Sequence, residues 1–335
     1  MTDPERSIAG LSGDPPDFGA RLTGAPIVLD GGLATELEAR GHDLSGSLWS
    51  ARLLADDPDA IRLVHEAYFA AGAEVAISAS YQASRAGFAA LGLSSDDSDA
   101  LMIRSVELAS QARQNAYARG ATGPLYVAAS VGPYGATLAD GSEYRGRYGV
   151  PHDELVDFHT ERLDVLAASR ADILAIETIP DVAEASAIVE ALAEADGRAT
   201  DAPVACWISF SCADGDRTSG GDPIAEAVRV AAQAPGIVAV GVNCTPPTYI
   251  RRLLAGIGAA VALPVIVYPN AGRTWDAERR RWSAEGVSVL PPSAVHDWLD
   301  DGVAAVGGCC GLGPAAVRAI AASISEPIVP QRPRS

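Results

Sequence analysis

Short apolar runs alternate with amphipathic stretches along nearly the whole chain. The runs span 26–32, 73–81, 125–132, 171–178, 202–210, 236–244, 263–270 and 302–310. Most are continuously apolar rather than alternating, the pattern of strands covered on both faces. The segments between them carry a helical period. In 58–72, Ile61, Val64, Ala67, Tyr68 and Ala71 fall on one face, and the same spacing recurs at 98–120, 154–169, 182–195, 223–234, 247–261, 293–302 and 313–324. Eight strands, each followed by a helix, predict a single (β/α)8 barrel of the TIM type. The competing architecture, an open doubly wound sheet, normally announces itself by a glycine-rich phosphate turn after its first strand. GGLATELEARG at 31–41 has no GxGxxG, and the GIG and GLG triplets at 256–258 and 311–313 are weak signals.

A barrel of this kind places its chemistry at the C-terminal ends of its strands. Those ends carry Asp30, Gly31 and Gly32 on the first strand and Ser80, Tyr81 and Gln82 on the second. Tyr134 follows the third, Glu177 ends the fourth, Asn243 and Cys244 end the sixth, and Cys309 and Cys310 end the eighth. Polar residues thus gather on one rim. Two longer loops, 213–223 and 271–292, are positioned to cover it, the second bearing Trp275 and Trp282.

The cysteines carry the sharpest chemistry. Three thiolates from two strand ends are enough to hold one zinc ion with a fourth position open, and an open position marks a catalytic rather than a structural site. Adjacent residues of a regular strand point to opposite faces, so Cys309 and Cys310 reach one ion only if the strand breaks there. Gly307, Gly308 and Gly311 allow that break. Small buried apolar cysteines are the plainer explanation, and it suits Cys206 and Cys212.

Composition narrows the field. The chain has 335 residues, 48% of them hydrophobic, and a net charge of −18, which argues against nucleic acid or an anionic membrane as partner. All 25 basic residues are arginine. The lack of lysine removes Schiff-base aldolases, internal-aldimine enzymes and P-loop nucleotide hydrolases. No apolar stretch is long enough to cross a membrane, and the first residues do not form a secretory signal. Five unevenly spread cysteines fit a reducing cytoplasm rather than a disulfide framework.

LDGGLATELEARG, ISASYQAS, SVGPYGATLADGSEYRG, ETIP, GVNC, VYPNAG and GGCCG together resemble the zinc-dependent homocysteine S-methyltransferases. The likeness is nearest to the bacterial branch using S-methylmethionine or S-adenosylmethionine. It covers residues 21–326, leaving 1–20 as a flexible extension and 327–335 as a flexible tail. It implies zinc on Cys244, Cys309 and Cys310, and Asp30 and Glu177 lining the homocysteine site with the backbone of Gly31 and Gly32 nearby. Ser80, Tyr81, Gln82, Tyr134 and Asn243 complete the expected substrate-binding set. The implied reaction moves a methyl group from a sulfonium to the thiolate of L-homocysteine, with no protein general base. Betaine or a methylated folate as donor, and a non-catalytic zinc or redox sensor, are the alternatives. AGR follows YPN where SGE is commoner in the family.

Overall fold

The computed structural model describes residues 15–44, 49–198, 204–272, 275–276, 281–282 and 286–325. Its centre is an eight-stranded parallel sheet: β1 (Ile27–Val28), β2 (Val75–Ile77), β3 (Tyr126–Val131), β4 (Ile173–Ile179), β5 (Cys206–Phe210), β6 (Ile237–Asn243), β7 (Val265–Tyr268) and β8 (Val303–Val306). Neighbours run in chain order, and β1 pairs with β8 through Ile27 opposite Ala305. An isolated bridge from Leu29 to Val75 joins β1 to β2 and closes the ring. All eight expected strands are present, and the (β/α)8 barrel stands. No helix among the described residues is long and apolar enough to cross a membrane.

Side-chain alternation builds two cores. Tyr126, Ala128, Ile173, Ala175, Trp207 and Ile266 fill the barrel interior. Val127, Ala129, Leu174, Ile176, Ile208 and Val267 face the surrounding helices. Helix boundaries follow local chemistry. Pro58–Ala70 begins with the Asp57 side chain accepting from Ala60 N at 3.3 Å and with proline in the first turn. Ser95–Ala118 starts three residues before its apolar period because Ser94 caps Asp97 N at 3.1 Å.

The N-terminal boundary needs correction. Residues 1–14 and 326–335 lie outside the described residues, but residues 17–22 are part of the fold. Asp17 caps the short helix Phe18–Arg21 at 2.8 Å. Phe18 is buried at the N-terminal mouth of the barrel, with ring centroids 5.1 Å from Tyr126 and 5.8 Å from Trp207. Arg21 pairs with Glu74 at 2.7 Å. The barrel interior is open to an aromatic plug at this end, so a chain segment expected to be loose closes it.

Candidate active site

The C-terminal ends of β6 and β8 meet over β7. Cys244 N donates to Tyr268 O at 3.0 Å, Cys309 N to Pro269 O at 2.8 Å, and Ala271 N to Cys310 O at 2.9 Å. Asn270 Nδ2 donates to Cys244 O at 2.9 Å. The Tyr268–Pro269–Asn270 turn is therefore the frame that clamps both cysteine-bearing ends. Three sulfurs result, those of Cys244, Cys309 and Cys310, all within 4.8 Å of one another. A tetrahedral zinc with bonds of about 2.3 Å needs sulfurs ~3.8 Å apart, so small side-chain adjustments complete the fit. All five cysteines are free, and Cys206 and Cys212 are buried outside this cluster.

The expected break in the strand is present but comes from fewer glycines. Gly311 takes φ +84°. Gly307 and Gly308 serve instead as close approaches, since a Cβ there would stand 2.6 Å from Leu29 Cβ and 2.8 Å from Leu312 Cβ. Crowding also shows in the thiols. Cys244 is the acidic member because the Cys309, Cys310 and Tyr144 side chains hydrogen-bond to it, while Cys309 and Cys310 are pushed up by their closeness to it and by burial. Three sulfurs sharing so little space call for a cation.

Beside the triangle lies a cavity of about 110 Å³, the scale of a ligand with several heavy atoms. Asp30, Gly31, Gly32, Tyr81, Gln82 and Glu177 line it with the three cysteines, and among the described residues no basic side chain does. Asp30 does not cap the following helix; its Oδ2 accepts from Ile77 N at 2.8 Å. Burial pushes its carboxyl well above the ordinary range. Glu177 is pushed up to about 7, mainly by burial, against the Ser130 and Tyr268 hydroxyls that donate to it. Gln82 Nε2 donates to Ala136 O at 2.9 Å, which fixes the amide and leaves buried Oε1 without a partner. Gly31 and Gly32 let β1 lie against the 309–312 turn: a Cβ on Gly31 would meet Leu312 O at 2.4 Å.

Three expected residues lie elsewhere. Ser80 is buried under the rim, its Oγ donating to Ser130 O at 2.7 Å. Tyr134 opens a short helix and turns outward, meeting Phe158 edge-on with ring centroids 5.1 Å apart and donating to Glu154 at 3.2 Å. Asn243, next to Cys244 in sequence, points to Thr178. Two residues, Tyr144 and Glu143, come to the site without having been singled out. Tyr144 O–H lies 3.2 Å from Cys244 Sγ. Buried Glu143 has Oε2 unpartnered and a carboxyl raised to about 7 by burial. Ser78, Thr178 and Tyr268, at the ends of the second, fourth and seventh strands where the rim was expected, also line the cavity. Tyr144 and Glu143 lie within SEYRG, so a family motif was their one signal. The histidines in helices, including His65, His152, His159 and His296, stay out of the cavity.

Comparison with known proteins agrees with this geometry. The sequence model of the homocysteine S-methyltransferase family matches residues 27–324. Homocysteine S-methyltransferase 2 of Arabidopsis thaliana is 44% identical over 90% of this chain and 93% of its own. Homocysteine S-methyltransferase YbgG of Bacillus subtilis is 43% identical over 88% and 93%. The metallated form of the homocysteine methyltransferase MmuM from Escherichia coli superposes with a TM-score of 0.79 at 40% identity, covering 89% of this chain and 96% of that one. The chain belongs to the homocysteine S-methyltransferase family and transfers a methyl group to homocysteine.

Proposed function

We propose that the methyl donor is a sulfonium, S-methylmethionine first and S-adenosylmethionine second, and that the metal of Cys244, Cys309 and Cys310 is zinc. The observation that carries this reading is the sulfur triangle opening onto a cavity whose charged lining is Asp30 and Glu177, with no basic side chain among the described residues. The all-cysteine donor set fits zinc, a soft-tolerant ion with no redox chemistry. When bound, zinc keeps a substrate thiol deprotonated and nucleophilic at neutral pH.

The protein's own groups do the rest. Asp30, Glu177 and Gln82 Oε1 receive the homocysteine ammonium, and the cation in turn favours both carboxylates as anions. The substrate sulfur attacks the methyl carbon in line; the donor sulfur keeps the bonding pair and leaves neutral. No proton moves in that step, so no general base is required. Holding two sulfurs and a carbon in line is a positioning task. A cationic donor is favoured by the acidic, lysine-free cavity, and the methionine moiety shared by both donors is the recognised part. Five unpaired cysteines suit a reducing cytoplasm.

The test is a side-by-side assay of S-methylmethionine, S-adenosylmethionine, betaine and a methylated folate with homocysteine and zinc-loaded enzyme. S-Methylmethionine should give a kcat/KM at least equal to that of S-adenosylmethionine, with negligible turnover of the other two. A preference for betaine overturns the donor assignment.

A further inference from the structure

β4 carries a bulge where it reaches the cavity. Ile176 pairs with Ile208 and Ile179 with Phe210, so three steps along β4 answer two along β5. In the regular part, Ile173 and Ala175 face the barrel interior while Leu174 and Ile176 face the helices. Unbroken alternation would send Glu177 inward, Thr178 outward and Ile179 inward. Instead, Ile179 packs in the outer core, and Glu177 and Thr178 both line the cavity. One extra residue re-aims the strand end.

The backbone cost falls on Thr178, which sits at φ +63°. A β-branched residue rarely adopts that left-handed conformation, and such strain persists only when the surroundings impose it. Asn243 does so at two points. Its Oδ1 accepts from Thr178 N at 2.7 Å, and its Nδ2 donates to Thr178 Oγ1 at 2.7 Å. Ser209 Oγ donates to the same Oδ1 at 2.9 Å, which fixes the orientation of the amide. Asn243 is fully buried and absent from the cavity wall. The next residue is Cys244, itself left-handed at φ +45°.

We propose that Asn243 is a positioning residue: its amide holds Thr178 left-handed and so presents Glu177 and Thr178 side by side to homocysteine. It ties the metal-bearing end of β6 to the substrate-bearing end of β4. The inference rests on the assignment of Glu177 to the substrate ammonium.

A double-mutant cycle on the full-length, zinc-loaded enzyme tests it. Asn243→Ala should raise the homocysteine KM about tenfold or more, the loss expected when a buried network is cut, with kcat changing less and metal content unchanged. Glycine adopts the left-handed conformation unaided, so Thr178→Gly no longer needs the amide of Asn243, and its own KM, which includes the loss of a cavity-lining side chain, is the reference for the cycle. Adding Thr178→Gly to Asn243→Ala should bring KM back to within about threefold of the Thr178→Gly value. A purely structural loss at Asn243 would not be rescued in this way. An unchanged KM in Asn243→Ala, or losses that multiply in the double variant, overturns the clamp. If Asn243→Ala fails to fold, Asn243→Asp, which keeps the bond to Thr178 N and loses the donor to Oγ1, enters the same cycle with the same rescue required. Glu177→Gln separates the two assignments. An unchanged KM there removes the substrate role of Glu177; a raised one with no effect at Asn243 removes the clamp alone.

Discussion

The two ends of this barrel are built to opposite rules. At the N-terminal end polar groups are paired: Arg21 with Glu74 at 2.7 Å, and Arg113 with Asp172 at 2.6 Å, the latter also accepting from Val127 N at 2.7 Å. Phe18 seals that mouth with edge-on aromatic contacts. At the C-terminal rim, buried Gln82 Oε1 and Glu143 Oε2 have no partner, and Thr178 and Cys244 sit in left-handed backbone. Asp30 and Glu177 are buried with carboxyl groups pushed upward. Unsatisfied polar atoms and strain are tolerated where a ligand supplies the missing partners. Tyr126 O–H, also unpartnered, sits near the sealed end, so the contrast rests on the clustering at the rim rather than on any single orphan.

The largest expected effect lies at the rim. Replacing Cys244, Cys309 or Cys310 singly with alanine should remove metal and activity together while circular dichroism and the melting transition stay near those of the metal-free parent. Metal retained in full by any of the three would assign the ligands elsewhere. Cys206→Ala and Cys212→Ala should keep their metal.

The complementary cut is at the other end. Phe18→Ala should cost about 3–5 kcal/mol of stability by opening a cavity under Tyr126 and Trp207, with the homocysteine KM unchanged in the folded enzyme. Denaturant unfolding and steady-state kinetics together check it. A Phe18 variant as stable as the parent would leave the plug without an energetic role.

What was legible in the sequence follows the same division. Strands covered on both faces read as continuous apolar runs, so all eight could be placed, and with them the rim. The three cysteines stood out because sulfur at strand ends has few other uses. Phe18 was missed because one aromatic in a Pro-, Gly- and Asp-rich stretch has no periodic partner to mark it as core. Asn243, in the GVNC motif, was expected at the substrate through the family resemblance, yet alternation and a left-handed Cys244 send its side chain and that of Cys244 to different places. Tyr134 follows a rim turn but begins a helix, which rotates its ring outward, whereas Tyr144, from the same connection, returns to the sulfur. A long-range contact of this sort, 100 residues from its partner in the chain, leaves no local pattern. The β4 bulge is invisible for a related reason: register is a property of two strands, not of one.

A smaller effect is expected from the cavity carboxylates. Asp30→Asn and Glu177→Gln should each weaken homocysteine binding by ~1.5–3 kcal/mol, about ten- to a hundredfold, the range for losing a charge-assisted hydrogen bond. Metal content should hold. An unchanged homocysteine KM in both variants would return these groups to a structural role and erase much of the contrast between the two ends.

The smallest effect is the most diagnostic, because its sign is opposite. In the metal-free, substrate-free protein Glu177 titrates at about 7, raised from 4.5 chiefly by burial. A raised carboxyl pKa means that the folded state binds the proton more tightly than the unfolded chain. Its contribution to stability is therefore complete below about pH 4.5 and is lost as pH rises through about 7. Glutamine does not titrate and escapes that loss. Glu177→Gln should thus gain stability relative to the parent between pH 5 and pH 8. The ceiling is about 3 kcal/mol from the size of the shift, and about 1 kcal/mol is expected, because water reaching an open cavity screens the charge. Urea unfolding of both proteins across that pH range measures the difference. A variant that is less stable than its parent at pH 8 would show Glu177 holding the barrel together through Ser130 and Tyr268. A gain that grows with pH would show a carboxylate held in place at the expense of stability, as a substrate ligand is.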